Sequence, residues 1–139
     1  MLAKDLMTKK PEFIPPTATL KEAADIMRKN DCGFLPVGEN DRLIGAITDR
    51  DITIRGIAKG KDSEKTCVKD IMSQEIQYCF EEDKLEKIAE KMESLQIRRL
   101  VVLDKNKRMT GVISFGDIAT KCKDKALCSE LADAVSQPE

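Results

Sequence analysis

Gly45-Ala46-Ile47-Thr48-Asp49-Arg50-Asp51-Ile52 returns, 66 residues further on, as Gly111-Val112-Ile113-Ser114-Phe115-Gly116-Asp117-Ile118. Upstream, Lys4-Asp5-Leu6-Met7 returns as Lys69-Asp70-Ile71-Met72 and Leu20 as Leu85, both at a spacing of 65. The chain therefore states one pattern twice, with one residue gained between the anchors. The polar stretch from Asp104 to Arg108 can absorb it, because exposed turns tolerate insertion. A single copy of roughly 60 residues is marginal as a folding unit, so the copies are expected to complete one another.

Working outward from the motif, each copy has the same order. The short Lys-Asp-Leu/Ile-Met helix leads into an extended segment, Phe13-Ile14 and then Tyr78-Cys79-Phe80. A helix follows with apolar positions at i, i+3, i+4 and i+7: Leu20, Ala23, Ala24 and Met27, then Leu85, Ile88, Ala89 and Met92. Thr19 and Glu22 form a capping box for the first helix, and Asp83 is placed to cap the second. Next come hairpins, Phe34 to Val37 with Leu43 to Ile47, and Leu100 to Leu103 with Met109 to Ile113. Their strands are apolar on both faces, as strands covered by helices are. Closing helices are expected near Asp51 and Asp117.

The expected fold class is α+β: two β-α-β-β-α units with pseudo-two-fold symmetry, sheets inside and helices outside, leaving two equivalent clefts between the copies. The boundaries are 1–60 for the first unit, 61–68 for a linker, 69–123 for the second unit, and 124–139 for a carboxy-terminal helix and a tail frayed from Gln137. Lys121, Lys123 and Lys125 are expected on the exposed face of that helix.

Composition narrows the function. The 139 residues are 41% hydrophobic and 35% charged, and 24 basic against 25 acidic residues leave a net charge of -1. Such a balance offers no field for gathering nucleic acid, and four phenylalanines with no basic stripe offer no stacking platform. No apolar run is long enough to cross a bilayer and no secretory leader is evident, so a cytoplasmic location is expected. Histidine is absent, which removes the commonest general base and metal ligand. No metal site and no catalytic constellation is expected. Of five cysteines, Cys32, Cys67 and Cys79 sit among apolar neighbours and read as packed thiols. For Cys122 and Cys128 a disulfide or a redox role stays open.

The chemistry resides in Gly-x-Ile-Thr/Ser-x-x-Asp. Each copy puts a hydroxyl, Thr48 or Ser114, at a strand end and a carboxylate, Asp51 or Asp117, in the first turn of a helix. The hydroxyl and the helix N–H groups suit phosphate, whereas the carboxylate can accept two hydrogen bonds from a ribose cis-diol. The plainer alternative is a helix cap at each place, which the same residue types favour without any ligand. Arg50, within Thr-Asp-Arg-Asp, and the adjacent Arg98 and Arg99 are candidate phosphate ligands through forked, charge-assisted bonds.

In their order and duplication, Lys-Asp-Leu/Ile-Met, Gly33-Phe34-Leu35-Pro36-Val37 and the paired Gly-x-Ile-Thr/Ser-x-x-Asp make the chain resemble a tandem pair of CBS domains (a Bateman module). The likeness covers about residues 2 to 123, and the chain is similar to small stand-alone two-CBS proteins of bacteria and archaea. The resemblance implies regulatory binding of AMP, ADP, ATP or a related adenosine compound, with no obligatory cofactor and no catalysis. It assigns the ribose to Asp51 and Asp117, and phosphate or ribose to Thr48 and Ser114. It assigns the base to Ile14, Leu35 and Pro36 in one cleft and to Cys79 and Leu100 in the other. It also implies a homodimer and a regulated protein reached in trans. Val101 stands where Pro36 stands in the first copy and restores a backbone donor, so the clefts are expected to differ. The competing expectation is an interaction module with no obligatory ligand.

Overall fold

The computed structural model describes residues 1–9, 11–121 and 125–135; Cys122, Lys123 and the tail from Gln137 lie outside the described residues. The two apolar stripes form the two long helices α2 (Leu20–Asn30) and α4 (Leu85–Leu95). Leu20, Ala23 and Met27 are buried on α2, and Leu85, Ile88, Ala89 and Met92 on α4. Ala24 departs from the expected stripe: it is exposed, and Ile26 packs on the core beside it. Thr19 Oγ1 accepts from the Glu22 N–H at 3.2 Å, as a cap should. Asp83 does not cap α4. Its Oδ2 accepts from the Phe80 N–H at 2.9 Å and so closes the turn after the preceding strand, leaving Lys84 at the cap position without a side-chain bond.

The remaining elements in chain order are α1 (Ala3–Leu6), β1 (Thr8–Lys9), β2 (Phe34–Glu39), β3 (Arg42–Thr48), α3 (Asp49–Asp51), β4 (Tyr78–Phe80), β5 (Arg99–Leu103), β6 (Met109–Ser114), α5 (Phe115–Lys121) and α6 (Lys125–Val135). The closing helix of the first repeat is irregular. After α3 it widens to a π turn, Ile52–Gly56, and ends as a 3-10 turn, Ile57–Lys59. Gly56 there lies so close to α2 that a Cβ would stand 2.9 Å from Leu20 Cδ1.

Two compact units result: Glu12–Ile76, and Met1–Pro11 together with Gln77–Glu139. In the first, β2 and β3 pair antiparallel, joined by Asn40 and Asp41 in left-handed conformation, the geometry that a two-residue hairpin turn requires. Ile14, expected within a strand, makes only an isolated parallel bridge to Val37, and Ser73 bridges Ala46 on the other side. The core gathers Ile14, Leu20, Leu35, Val37, Ile47, Val68 and their neighbours. In the second unit the sheet order is β1-β6-β5-β4, with only β4 and β5 parallel. Its core includes Leu6, Ile88, Met92, Leu100, Ile113, Ile118 and Leu131.

These units are not the sequence repeats. The Lys-Asp-Leu/Ile-Met segment of each repeat packs in the unit built mainly from the other, and a glycine receives its methionine each time. Met7 Sδ lies 2.5 Å from where a Cβ on Gly111 would stand, and Met72 Sδ lies 2.5 Å from the same point on Gly45. The glycine of Gly-x-Ile-Thr/Ser and the methionine of Lys-Asp-Leu/Ile-Met are two halves of one contact.

Candidate functional site

Each strand-to-helix corner is closed by a reciprocal capping box. Thr48 Oγ1 accepts from the Asp51 N–H at 3.0 Å, while Asp51 Oδ2 accepts from the Thr48 N–H at 3.0 Å. Ser114 Oγ accepts from the Asp117 N–H at 3.0 Å, and Asp117 Oδ2 accepts from the Ser114 N–H at 2.9 Å. The plain structural role of the motif is thus present in both copies. It does not use up the carboxylate, because each cap occupies one oxygen and a carboxylate can accept at both. Asp51 Oδ1 faces Arg55 Nε at 3.9 Å, and Arg55 Nη1 donates to the Ile71 carbonyl at 3.3 Å. Arg55 was invisible to motif reading, although its i, i+4 spacing from Asp51 is the signal that finds it.

The corners match down to the backbone. Asp49 N–H donates to the Gly33 carbonyl at 3.0 Å, and Phe115 N–H donates to the Arg98 carbonyl at 2.7 Å. Phe34 is the register partner of Thr48, and Arg99 is the register partner of Ser114. Directly opposed side chains of an antiparallel pair share a face. An exposed arginine therefore flanks the second hydroxyl where a phenylalanine flanks the first. Among the described residues the Arg99 and Arg50 side chains make no hydrogen bond or ion pair. Arg98 is engaged: its Nε and Nη2 both donate to the Val135 carbonyl at 3.3 Å.

The side chains expected against a base are buried. Ile14, Leu35, Cys79 and Leu100 are at most 3% exposed and belong to the cores of their units. Pro36 is buried in β2, its carbonyl accepting from the Ile14 N–H at 3.0 Å. Val101, its counterpart, lies in β5 between Tyr78 of β4 and Val112 of β6. Cys79 is a free thiol, and burial pushes its pKa up to about 12, so it is a packing group at neutral pH. Cys32 and Cys67 are free and half-buried, while Cys128 is disulfide-bonded. A hollow of about 590 Å³ is lined by Phe80, Glu81, Glu82, Asp104, Lys105 and Asn106. It lies at the end of β5 away from Arg99, and its carboxylates do not suit a phosphate.

Residues 3–55 and 68–124 each match the model of the CBS domain. The chain belongs to the CBS-domain family. It is 38% identical to CBS domain-containing protein YhcV of Bacillus subtilis over 84% of this chain and 81% of YhcV. It is 33% identical to Hypoxic response protein 1 of Mycobacterium tuberculosis over 94% of this chain and 96% of that protein. A crystal structure of Hypoxic Response Protein I with two coordinated zinc ions superposes with a TM-score of 0.80 at 34% identity, covering 87% of this chain and 98% of that one. The CBS domain pair of protein MJ0100, in complex with 5′-methylthioadenosine and S-adenosyl-L-methionine, superposes with a TM-score of 0.76 at 27% identity, covering 86% and 94%. As a CBS pair, the chain has a mixed α+β fold of two tandem CBS units. No helix among its described residues is long and apolar enough to cross a membrane.

Proposed function

We propose that this CBS pair is a regulatory sensor of adenosine-containing small molecules, AMP, ADP, ATP or a related compound. The observation that carries the reading is the duplicated corner, a hydroxyl and a carboxylate held by mutual caps, in a family one of whose members binds two adenosine compounds. Asp51 and Asp117 offer their free carboxylate lone pairs to ribose hydroxyls. Thr48 and Ser114, with Arg50 and Arg99, face phosphate. Ile14, Leu35, Pro36, Cys79 and Leu100 are the residues assigned to the base, and with their side chains buried that contact falls to main-chain atoms. The sensor works in the cytoplasm as a homodimer and acts in trans on a regulated protein, without catalysis of its own.

The chain has no histidine, and among the described residues no three or more cysteine, aspartate or glutamate side chains are grouped to hold a metal. A second reading is an interaction module with no obligatory ligand, favoured by Ile54 and Ile57, which are 45% and 59% exposed.

One thermal-shift series separates the two. At a hundredfold excess over Kd a ligand adds about 2.7 kcal/mol, so the melting temperature should rise by roughly 10 °C with at least one of AMP, ATP or S-adenosylmethionine. Asp51→Asn and Asp117→Asn keep one oxygen to accept from the Thr48 and Ser114 N–H groups but replace the second with a donor, so they should retain the ligand-free melting temperature while losing the response. Silence from every adenosine compound would leave the docking reading standing.

A further inference from the structure

Both repeats place a cation four residues after the motif aspartate, Arg55 after Asp51 and Lys121 after Asp117. The two cations reach the same kind of partner. Arg55 Nη1 donates to the Ile71 carbonyl at 3.3 Å, and Lys121 Nζ donates to the Leu6 carbonyl at 3.2 Å. Ile71 and Leu6 hold the same position in Lys-Asp-Leu/Ile-Met, and the methionine after each packs over the motif glycine. Backbone pairing closes the circuit: Ser73 bridges Ala46 in one unit, and Thr8 pairs with Val112 in the other. Each corner is braced by a ring of contacts that leaves along the closing helix and returns along the strand.

The rings differ at one link. Arg55 Nε stands 3.9 Å from Asp51 Oδ1, whereas Asp117 makes no ion pair among the described residues. Side-chain chemistry accounts for the difference. A guanidinium is a planar fork whose separate nitrogens can serve two partners, and an ammonium is a single point of charge. Lys121 spends its one nitrogen on the Leu6 carbonyl. At 3.9 Å the Arg55 contact is electrostatic and longer than a hydrogen bond, so Asp51 Oδ1 keeps its lone pairs. Oδ2 is already fixed by the Thr48 N–H at 3.0 Å. Asp51 is thus held at both oxygens and still open to a donor, its side chain 18% exposed.

We propose that Arg55 is a positioning residue of the Asp51 corner: it holds the carboxylate ready for the two hydroxyls of a ribose and makes this corner the better ordered ribose site of the pair. The inference rests on the adenosine reading above, which gives Asp51 its ligand, and it names what makes the corners unequal. A carboxylate already turned to its bound orientation loses less freedom when the ligand arrives, and the difference appears as affinity. Lys121 braces its helix in the same way but leaves Asp117 to be ordered by the ligand.

Calorimetric titration of the full chain tests it, with AMP and ATP each set beside its 2′,3′-dideoxy analogue. Asp117→Asn confines the ribose contact to the Asp51 corner. In that background Arg55→Lys should weaken AMP and ATP about fivefold, the upper scale of an exposed ion pair, and leave the dideoxy analogues unchanged. A lysine there can keep the Ile71 bond as Lys121 keeps that of Leu6, so the ligand-free melting temperature should hold. Arg55→Gln serves the same purpose should Arg55→Lys fail to fold. In the Asp51→Asn background, Lys121→Gln should leave the affinity of the Asp117 corner unaltered. Unchanged AMP and ATP affinity in the Arg55 variants, an equal loss for the dideoxy analogues, or a matching loss in Lys121→Gln overturns the inference alone. If neither nucleotide binds, or if each dideoxy analogue binds as tightly as its parent with Arg55 in place, the ribose reading of Asp51 falls, and this inference with it.

Discussion

At Gly111 the approach of Met7 leaves no room for a β-carbon, since Met7 Sδ and Cγ and the Thr8 carbonyl all lie within 2.9 Å of its position. The sulfur could swing aside, but the carbonyl belongs to β1 and is fixed by pairing with β6. Gly111→Ala is therefore expected to destabilise by about 1–3 kcal/mol, the usual range for overpacking, as measured by urea unfolding. Met7→Ala in that background should recover only part of the loss. Cys79 makes a prediction of different sign in pH. Its thiol ionises at about 12 in the fold against an ordinary 9.0. Above the ordinary value the unfolded chain gives up a proton that the folded one keeps, so stability falls as pH rises between the two. The stability margin of wild type over Cys79→Ala should therefore shrink between pH 8 and pH 11. At pH 8 a disulfide reagent should label Cys32 and Cys67 well before Cys79.

Among the elements, α2 and α4 differ in how their amino termini are finished. Thr19 caps α2 through the Glu22 N–H, whereas Lys84 gives α4 no side-chain bond. Thr19→Ala should lower stability by about 1 kcal/mol, and Lys84→Ser should raise it, both read from urea midpoints. The sequence carried these two helices clearly because a 3.6-residue stripe is a local signal. It misplaced the second cap because an aspartate before a helix can serve either the helix or the turn ahead of it, and Asp83 serves the turn. The corners were equally legible, since Thr48 with Asp51 and Ser114 with Asp117 are pairs three residues apart. The burial of the Ile14, Leu35, Cys79 and Leu100 side chains was not, because a strand covered on both faces has no polar alternation to show which way each side chain turns. The bonds from Arg98 to the Val135 carbonyl join residues with no shared motif, and only three-dimensional proximity discloses them.

For the molecule as a whole, the repeat and the folded unit are different divisions of the chain. Glu12–Ile76 is one continuous segment with its own core, including the Met72 that fills the space above Gly45. A fragment of residues 12–76 should therefore unfold cooperatively. A fragment of residues 1–66, cut by repeat, lacks Val68, Ile71 and Met72 and should lose its near-native circular dichroism at far lower urea. Equal stability of the two fragments would show that the methionine–glycine contacts contribute little.

The placement of Thr8 and Lys9 beside Val112 and Gly111 also sets an order in time. During synthesis the first residues leave the ribosome on the order of a hundred residues before the strand they pair with, at a pace of seconds. Glu12–Ile76 is complete in the meantime and can close on itself, while Ala3, Leu6 and Met7 wait with their apolar side chains uncovered. The nascent protein therefore passes through an interval in which one unit is native and its leading segment is available to chaperones, or to the Gly111 strand of a neighbouring chain.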